Sequence, residues 1–291
     1  MKIVLHTGVH FTDEDLLIRS LLRNATGFAA RGITVPEPGR YRRLLRATLA
    51  AMQDAQPAPD AREILLDAML DQEPAGRLIL SSPHVFGVQK TAVRKGRLYP
   101  AAAERVASFR RLFPDDEIDL FMAIRNPATF LPKVHPFSAR DAVSAMLLDD
   151  DPTMVAWGDV FRRLREAHPD IAITVWCNED TPLIWGRILR EMAGLQADDV
   201  IEGAFDLLAT LISASGMEQF RAHLQANPGM SETDLQQTIS SFIDRFASAD
   251  SLEEEIDMPG WTDDLVSELT ALYDRDFAAL ATIPGLRVIA P

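Results

Sequence analysis

Apolar residues along this chain fall into short continuous runs, separated by longer stretches where they recur every three or four positions. The runs are Ile3-Val-Leu5, Gly32-Ile-Thr-Val-Pro36, Arg77-Leu-Ile-Leu-Ser-Ser-Pro83, Glu117-Ile-Asp-Leu-Phe-Met-Ala-Ile124 and Ile171-Ala-Ile-Thr-Val-Trp176. Brief, β-branched and bounded by turn residues, they predict buried strands. Between them, Leu16, Leu17, Leu21 and Leu22 predict a helix over about 13–24. Further helices are predicted over about 40–54 and 60–71, with Pro57-Ala-Pro59 between them. Ala102, Val106, Phe109 and Phe113 mark one face of a helix over about 100–113 that Pro114 stops. Another is predicted over about 156–168, and Trp185, Ile188, Leu189 and Met192 mark a last one.

Strands alternating with helices of ten or more residues predict an α/β fold: three layers, α/β/α, around a mainly parallel sheet. Sites in such sheets lie beyond the carboxyl ends of the strands. The candidate rim is therefore residues 6–15, 81–87, 125–135 and 177–180. Near residue 200 the pattern changes. Phe205, Leu208 and Ile212, then Leu235, Ile239, Phe242 and Phe246, then Leu265, Leu269, Tyr273 and Phe277 all keep helical spacing. Residues 1–200 thus read as the α/β core, and 201–291 as a mostly helical region packed on it, with a last short strand over 286–289. Asp149-Asp-Asp-Pro152 and Ser251-Leu-Glu-Glu-Glu-Ile-Asp257 read as acidic loops or linkers.

Composition narrows the function classes. Lys+Arg 29 against Asp+Glu 43 gives a net charge of −14, which argues against a general nucleic-acid binder, since phosphates need a positive field. The single cysteine, Cys177, allows no internal disulfide and no cysteine-based metal cluster. The first residues lack the basic segment and cleavage site of a signal peptide, and no apolar run is long enough to span a bilayer. A cytoplasmic protein without membrane insertion is expected.

The most informative stretch is residues 2–15. A strand ends in His6-Thr-Gly8 and a helix pattern follows at once, the layout that aims backbone N–H groups at an anion. Yet the turn carries Asp13, Glu14 and Asp15 and no lysine. Thr12 suits the N-cap, and acids suit the first helical turn that would follow it. A hard-cation site from His10, Asp13 and Asp15 is a weaker alternative, and no metal is expected.

Three segments resemble one family. Ile3-Val-Leu-His-Thr-Gly-Val-His-Phe-Thr12 is similar to the opening of bacterial sulfotransferase-like proteins, where a strand leads into His-x-Gly-x-His-Lys-Thr-(Gly/Ala)-Thr-Thr. Leu120-Phe-Met-Ala-Ile-Arg-Asn-Pro-Ala-Thr-Phe-Leu-Pro132 resembles their second nucleotide segment, a strand ending in Arg-x-Pro. Leu272-Tyr-Asp-Arg-Asp-Phe-Ala-Ala-Leu280, followed by Pro284-Gly-Leu-Arg-Val-Ile289, is similar to their C-terminus. The resemblance implies the three-layer sheet of P-loop kinases and the donor 3′-phosphoadenosine-5′-phosphosulfate. It also implies a first turn that binds the 5′-phosphosulfate through backbone N–H groups, a lysine and hydroxyls. An arginine and a serine of the second segment would bind the 3′-phosphate.

By that resemblance Gly8 matches the turn glycine, His10 the residue before the lysine and Thr12 the first threonine. The lysine is Phe11, and Asp13, Glu14 and Asp15 replace the small residue and two threonines. Losing the lysine removes an electrostatic contribution of several kcal/mol to transfer. Each carboxylate about 6 Å from a polyanionic donor would repel it by roughly 3 kcal/mol before screening, at an effective dielectric of about 20. Arg125 stands at the 3′-phosphate arginine, and Lys133 where the serine is expected; a lysine can still bind phosphate as a point charge. His84, after the third strand, occupies a position where an acceptor-side base is often found, with a pKa near neutrality. The remaining polar residues have plainer readings. Gln89, Lys90, Arg94, Lys95 and Arg97 suit a solvated loop. The arginines of Arg40-Tyr-Arg-Arg-Leu-Leu-Arg46 suit a charged outer helix face, and Cys177, with no neighbouring base, an inert thiol.

The leading expectation is a bacterial sulfotransferase-like protein, a pseudoenzyme with impaired or lost sulfuryl transfer. The alternative is an active sulfotransferase with Arg125 and Lys133 on the 3′-phosphate and His84 as base, acting on a hydroxyl of a small molecule or glycan. A third is a non-catalytic interaction protein that uses the acidic helical third.

Overall fold

A computed structural model of the chain describes residues 1–52, 56–70, 75–137, 151–247, 256 and 258–291. The strands are β1 (Lys2–His6), β2 (Ile33–Thr34), β3 (Arg77–Ser81), β4 (Val93–Arg94), β5 (Arg97–Leu98), β6 (Glu117–Ile124), β7 (Ala172–Cys177) and β8 (Leu286–Ile289). All but β4 and β5 form one six-stranded parallel sheet in the order β2-β3-β1-β6-β7-β8. The helices are α1 (Leu16–Leu22), α2 (Ala25–Ala29), α3 (Pro38–Ala51), α4 (Ala61–Met69), α5 (Gln89–Ala92), α6 (Ala102–Leu112) and α7 (Pro127–Val134). They continue with α8 (Trp157–Ala167), α9 (Thr181–Ala193), α10 (Asp206–Leu211), α11 (Ala214–Ala226), α12 (Glu232–Phe246) and α13 (Asp263–Leu280).

The continuous apolar runs have a simple cause: the sheet is covered on both faces, so successive residues of one strand enter opposite cores. Ile3 and Leu5 of β1 join Leu78, Leu80, Leu120 and Met122 in a core filled from α3, α4, α6, α7, α8 and α13. Val4, between them, points the other way, to Ile79, Phe121 and Trp176, and is covered by α1, α2 and α9. A third cluster, Leu208, Ile212, Met217, Phe220, Ile239 and Phe242, holds α10, α11 and α12 together. The chain is thus an α/β protein with a parallel sheet and helices on both faces. Among the described residues, no helix is long and apolar enough to cross a membrane.

The crossover from β1 to β2 runs along the sheet in one direction and carries α1 and α2 on one face. Those from β2 to β3, β3 to β6 and β6 to β7 run the other way and carry their helices on the opposite face. The direction reverses at β1, which places the topological switch point at its carboxyl end. The loops after β1, β3 and β6 meet there.

Several local expectations are revised. The first helix starts at Leu16, not near residue 13, because Phe11, Glu14 and Asp15 all adopt positive φ (64°, 45° and 68°). Gln89–Arg97 is not a simple solvated loop. It forms α5 and then the antiparallel pair β4–β5, turned by Lys95 and Gly96 at φ 54° and 66°, the double left-handed geometry of a two-residue hairpin. Of the two acidic segments, residues 149–150, 251–255 and 257 lie outside the described residues. Asp151 accepts the Thr153 amide at 2.9 Å, capping a short 3₁₀ turn.

Long-range hydrogen bonds of two side chains, Trp261 and Asp276, fix the helices behind the rim. Pro132 inside α7 has no N–H for the Ala128 carbonyl, four residues back, and the Trp261 indole donates to that oxygen instead, at 2.8 Å. No side chain of its own segment caps α8. Asp276 of α13 accepts the Trp157 amide at 2.6 Å and the Gly158 amide at 3.0 Å. A Cβ at Gly158 would sit 2.6 Å from the Asp276 carboxylate and 2.9 Å from the Arg162 guanidinium, so a larger residue would have to push these side chains aside. Asp276→Ala is therefore expected to lower the unfolding free energy by about 1–2 kcal/mol, and Asp276→Asn by less, in urea titrations. Equal loss in both variants would argue against a capping role.

Candidate functional site

The loop after β1 is built from its own side chains. Gly8 has φ 59°, and a Cβ there would meet the Pro83 Cα at 3.2 Å, so glycine lets the loops after β1 and β3 close on each other. Thr12 does not cap α1: its hydroxyl donates to the Val9 carbonyl at 2.7 Å. Asp13 supplies the cap instead, accepting the Leu17 amide at 3.2 Å. Asp15 forms a two-pronged ion pair with Arg42 of α3, both contacts at 2.7 Å. That guanidinium holds the Asp15 carboxyl below its ordinary pKa. The expected repulsion between this turn and an anion is thus largely cancelled at Asp15, while Glu14 points to solvent. With Asp13 on an amide and Asp15 on Arg42, the two acids do not converge with His10 on a cation. Among the described residues no group of three or more His, Cys, Asp or Glu is arranged to hold a metal.

Arg125, directly after β6, is 5% exposed. Its guanidinium donates to the Phe11 carbonyl, and its Nε to the Thr129 hydroxyl at 3.1 Å. Its own carbonyl accepts the Trp157 indole N–H at 2.8 Å. The arginine that the resemblance assigns to a 3′-phosphate therefore clasps the residue standing in the lysine position. Lys133 lies half-buried in the last turn of α7, about 9 Å further along the helix axis than Pro127 at 1.5 Å of rise per residue.

His10 and His84 come together with a residue outside the predicted rim, Tyr99. The His10 amide donates to the Tyr99 hydroxyl oxygen at 3.1 Å, and that hydroxyl lies 2.8 Å from His10 Nδ1. Among the described residues this nitrogen is the only acceptor for the phenol proton, so Nδ1 accepts and Nε2 carries the imidazole proton. His10 Nε2 faces His84 Nδ1 at 3.3 Å, and the Gly87 backbone is a hydrogen-bond partner of both rings. Burial pushes the His10 pKa down to about 4, and His84 adds to the fall. His84 is lowered too, chiefly by burial and then by the fields of Arg46 and Arg42. Burial raises the Tyr99 phenol. Both imidazoles are neutral at pH 7. At the end of β1, His6 is buried against the Trp176 ring with Nδ1 3.0 Å from the Ser81 hydroxyl, and burial lowers its pKa also.

His84 opens onto a cleft of about 380 Å³ lined by Pro38, Gly39, Arg42, Arg43, Arg46, Ser82 and His84. Its arginines add to the reading of α3 as a charged outer face: Arg43 and Arg46 are exposed, and they also line this cleft. Gly39, Arg42, Arg43 and Arg46 lie at offsets 0, 3, 4 and 7, a single stripe of the helix. Tyr41, Leu45 and Leu49 form the neighbouring buried stripe. Arg42 Nε donates to the Ser81 carbonyl at 2.7 Å, and the Tyr41 hydroxyl to the same oxygen at 2.8 Å, while the Ser81 amide donates back to Tyr41. These bonds anchor the loop after β3 against α3. The stripe was visible in the sequence spacing; the wall it faces was not.

The loop after β7 is occupied differently. The Cys177 thiol has a neighbouring base after all, donating to the Glu179 carboxylate at 3.0 Å, and Tyr273 donates to the same oxygen at 3.0 Å. Burial, then the Glu179 charge, pushes the thiol up to about 12, so it stays protonated and unreactive. No protein-family model matches the chain, and no curated protein matches it.

Proposed function

We propose that this chain is a sulfotransferase-like protein on a P-loop-kinase-type sheet, in which sulfuryl transfer from 3′-phosphoadenosine-5′-phosphosulfate is impaired or lost. The frame supports the family: a central first strand, a glycine turn, a helix behind it, and an arginine directly after the adjacent strand β6. The observation that carries the loss of transfer is the clasp between Arg125 and the Phe11 carbonyl. Phe11 replaces the charge that would meet the oxygens of the sulfuryl group in transfer, and Arg125 is engaged within the loop rather than presented to a nucleotide.

Calorimetric titration with 3′-phosphoadenosine-5′-phosphate tests this. No saturable heat is expected up to about 1 mM nucleotide, the level at which even weak specific binding registers. Micromolar binding would overturn the proposal and favour the active reading. In that case Arg125 and Lys133 serve the 3′-phosphate, and His84 is the base toward a small-molecule or glycan hydroxyl.

A further inference from the structure

The cleft between α3 and the loop after β3 is concave and positively charged; it adjoins the donor loop through the His84–His10 and Arg42–Asp15 contacts, although no residue of that loop lines it. Its lining contains no carboxylate. Asp15, the nearby acid, is taken up by Arg42. Among the described residues neither Arg43 nor Arg46 makes an ion pair, although the Arg46 field reaches His84. Arg43 and Arg46 thus place two exposed guanidiniums on one wall with no acid on the lining, an arrangement suited to an anionic ligand.

The geometry points to a phosphomonoester site: this cleft takes a small organic molecule carrying a phosphate dianion, held by Arg43, Arg46, Ser82 and His84. Directed donors complement the charge. His84 lines the cleft with its Nδ1 turned to His10 Nε2, so an N–H on its other ring nitrogen would meet the ligand as a donor. Ser82, which also lines the cleft, is 8% exposed, with its amide on the His6 carbonyl. The Gly39 amide belongs to the first turn of α3, where no intrahelical acceptor exists. Two uncompensated guanidiniums match the nearly −2 charge of a phosphomonoester at pH 7 better than the single charge of a sulfate ester. A volume of about 380 Å³ falls in the range of small-molecule pockets, so the phosphate is one end of a larger ligand.

The test uses the full chain, with inorganic phosphate as the probe in chloride buffer of matched ionic strength. Saturable binding is expected in calorimetry below about 10 mM. Arg43→Ala and Arg46→Ala should each weaken it about tenfold, the loss of one charge-assisted contact. Lys90→Ala, an exposed cation elsewhere, should change nothing. His84→Asn should bind more tightly than His84→Ala, because the amide retains a donor. Methyl sulfate, a monoester with a single charge, should bind several-fold more weakly than methyl phosphate, and equal affinity would overturn the dianion assignment. Absence of saturable phosphate binding, or equal affinity in the Arg43→Ala/Arg46→Ala double variant with unchanged circular dichroism, would overturn the site itself. Because no donor-loop residue lines the cleft, failure of nucleotide binding and failure here are read separately.

Discussion

Replacing Trp157 with alanine is expected to lower the unfolding free energy by about 3–5 kcal/mol, the range for removing a large aromatic from a core. The side chain is 0% exposed and does two things. Its ring packs on Tyr99 and Phe130, with centroids 6.0 Å and 5.7 Å away, and its indole N–H takes up the buried Arg125 carbonyl at 2.8 Å. Trp157→Phe separates the two. It keeps most of the area and leaves the carbonyl without its donor, so a loss of about 1–3 kcal/mol is expected. Urea unfolding of the three proteins measures both. A loss below about 1 kcal/mol in the alanine variant would mean that the pocket collapses around the missing ring, contrary to the dense packing between Tyr99 and α7.

Acid is expected to have a comparable effect, with a sign set by His10. Its folded pKa of about 4 lies below the ordinary 6.5, so between those values the unfolded chain binds more protons than the folded one. Stability therefore rises with pH across this window, is complete above about 6.5 and is lost as pH falls toward 4. At about 1.4 kcal/mol per pKa unit, His10 alone accounts for about 3 kcal/mol, of which about 2 kcal/mol has gone by pH 5. His6 and His84 are shifted in the same direction and add to it. Urea midpoints at pH 7.5, 6 and 5 should fall steadily, and the fall should flatten in His10→Asn, which cannot gain the proton. Equal stability at pH 7.5 and 5 would show that these imidazoles titrate freely in the folded protein.

The strands were legible because burial on both sheet faces writes each as an unbroken apolar run, and the long helices because their buried stripes repeat every three or four residues. The start of α1 was not. Three non-glycine residues in the left-handed region, Phe11, Glu14 and Asp15, carry no compositional signal, and each costs about 1–3 kcal/mol that only the surrounding contacts can offset. Here those contacts include Arg125 on the Phe11 carbonyl and Arg42 on Asp15. His10 and His84 were singled out separately, but their contact spans 74 residues, and the bond from His10 to Tyr99 spans 89. Such pairings follow from strand order, which periodicity does not disclose. The arginine stripe of α3 was available as spacing. Its meaning depends on β3 lying beside β1, which brings His84 opposite it.

That same strand order bears on how the molecule is made. β1 pairs on one side with β3 and on the other with β6, residues about 75 and 115 positions further along the chain. Synthesis therefore delivers this buried inner strand of the sheet well before either neighbour exists, and Ile3, Val4 and Leu5 must wait with both hydrogen-bonding edges open. Closing loops of that length before any contact rewards them makes folding slow, on the millisecond-to-second scale of non-local topologies. During the wait the segment is a sticky edge, the kind that chaperones shield on nascent chains.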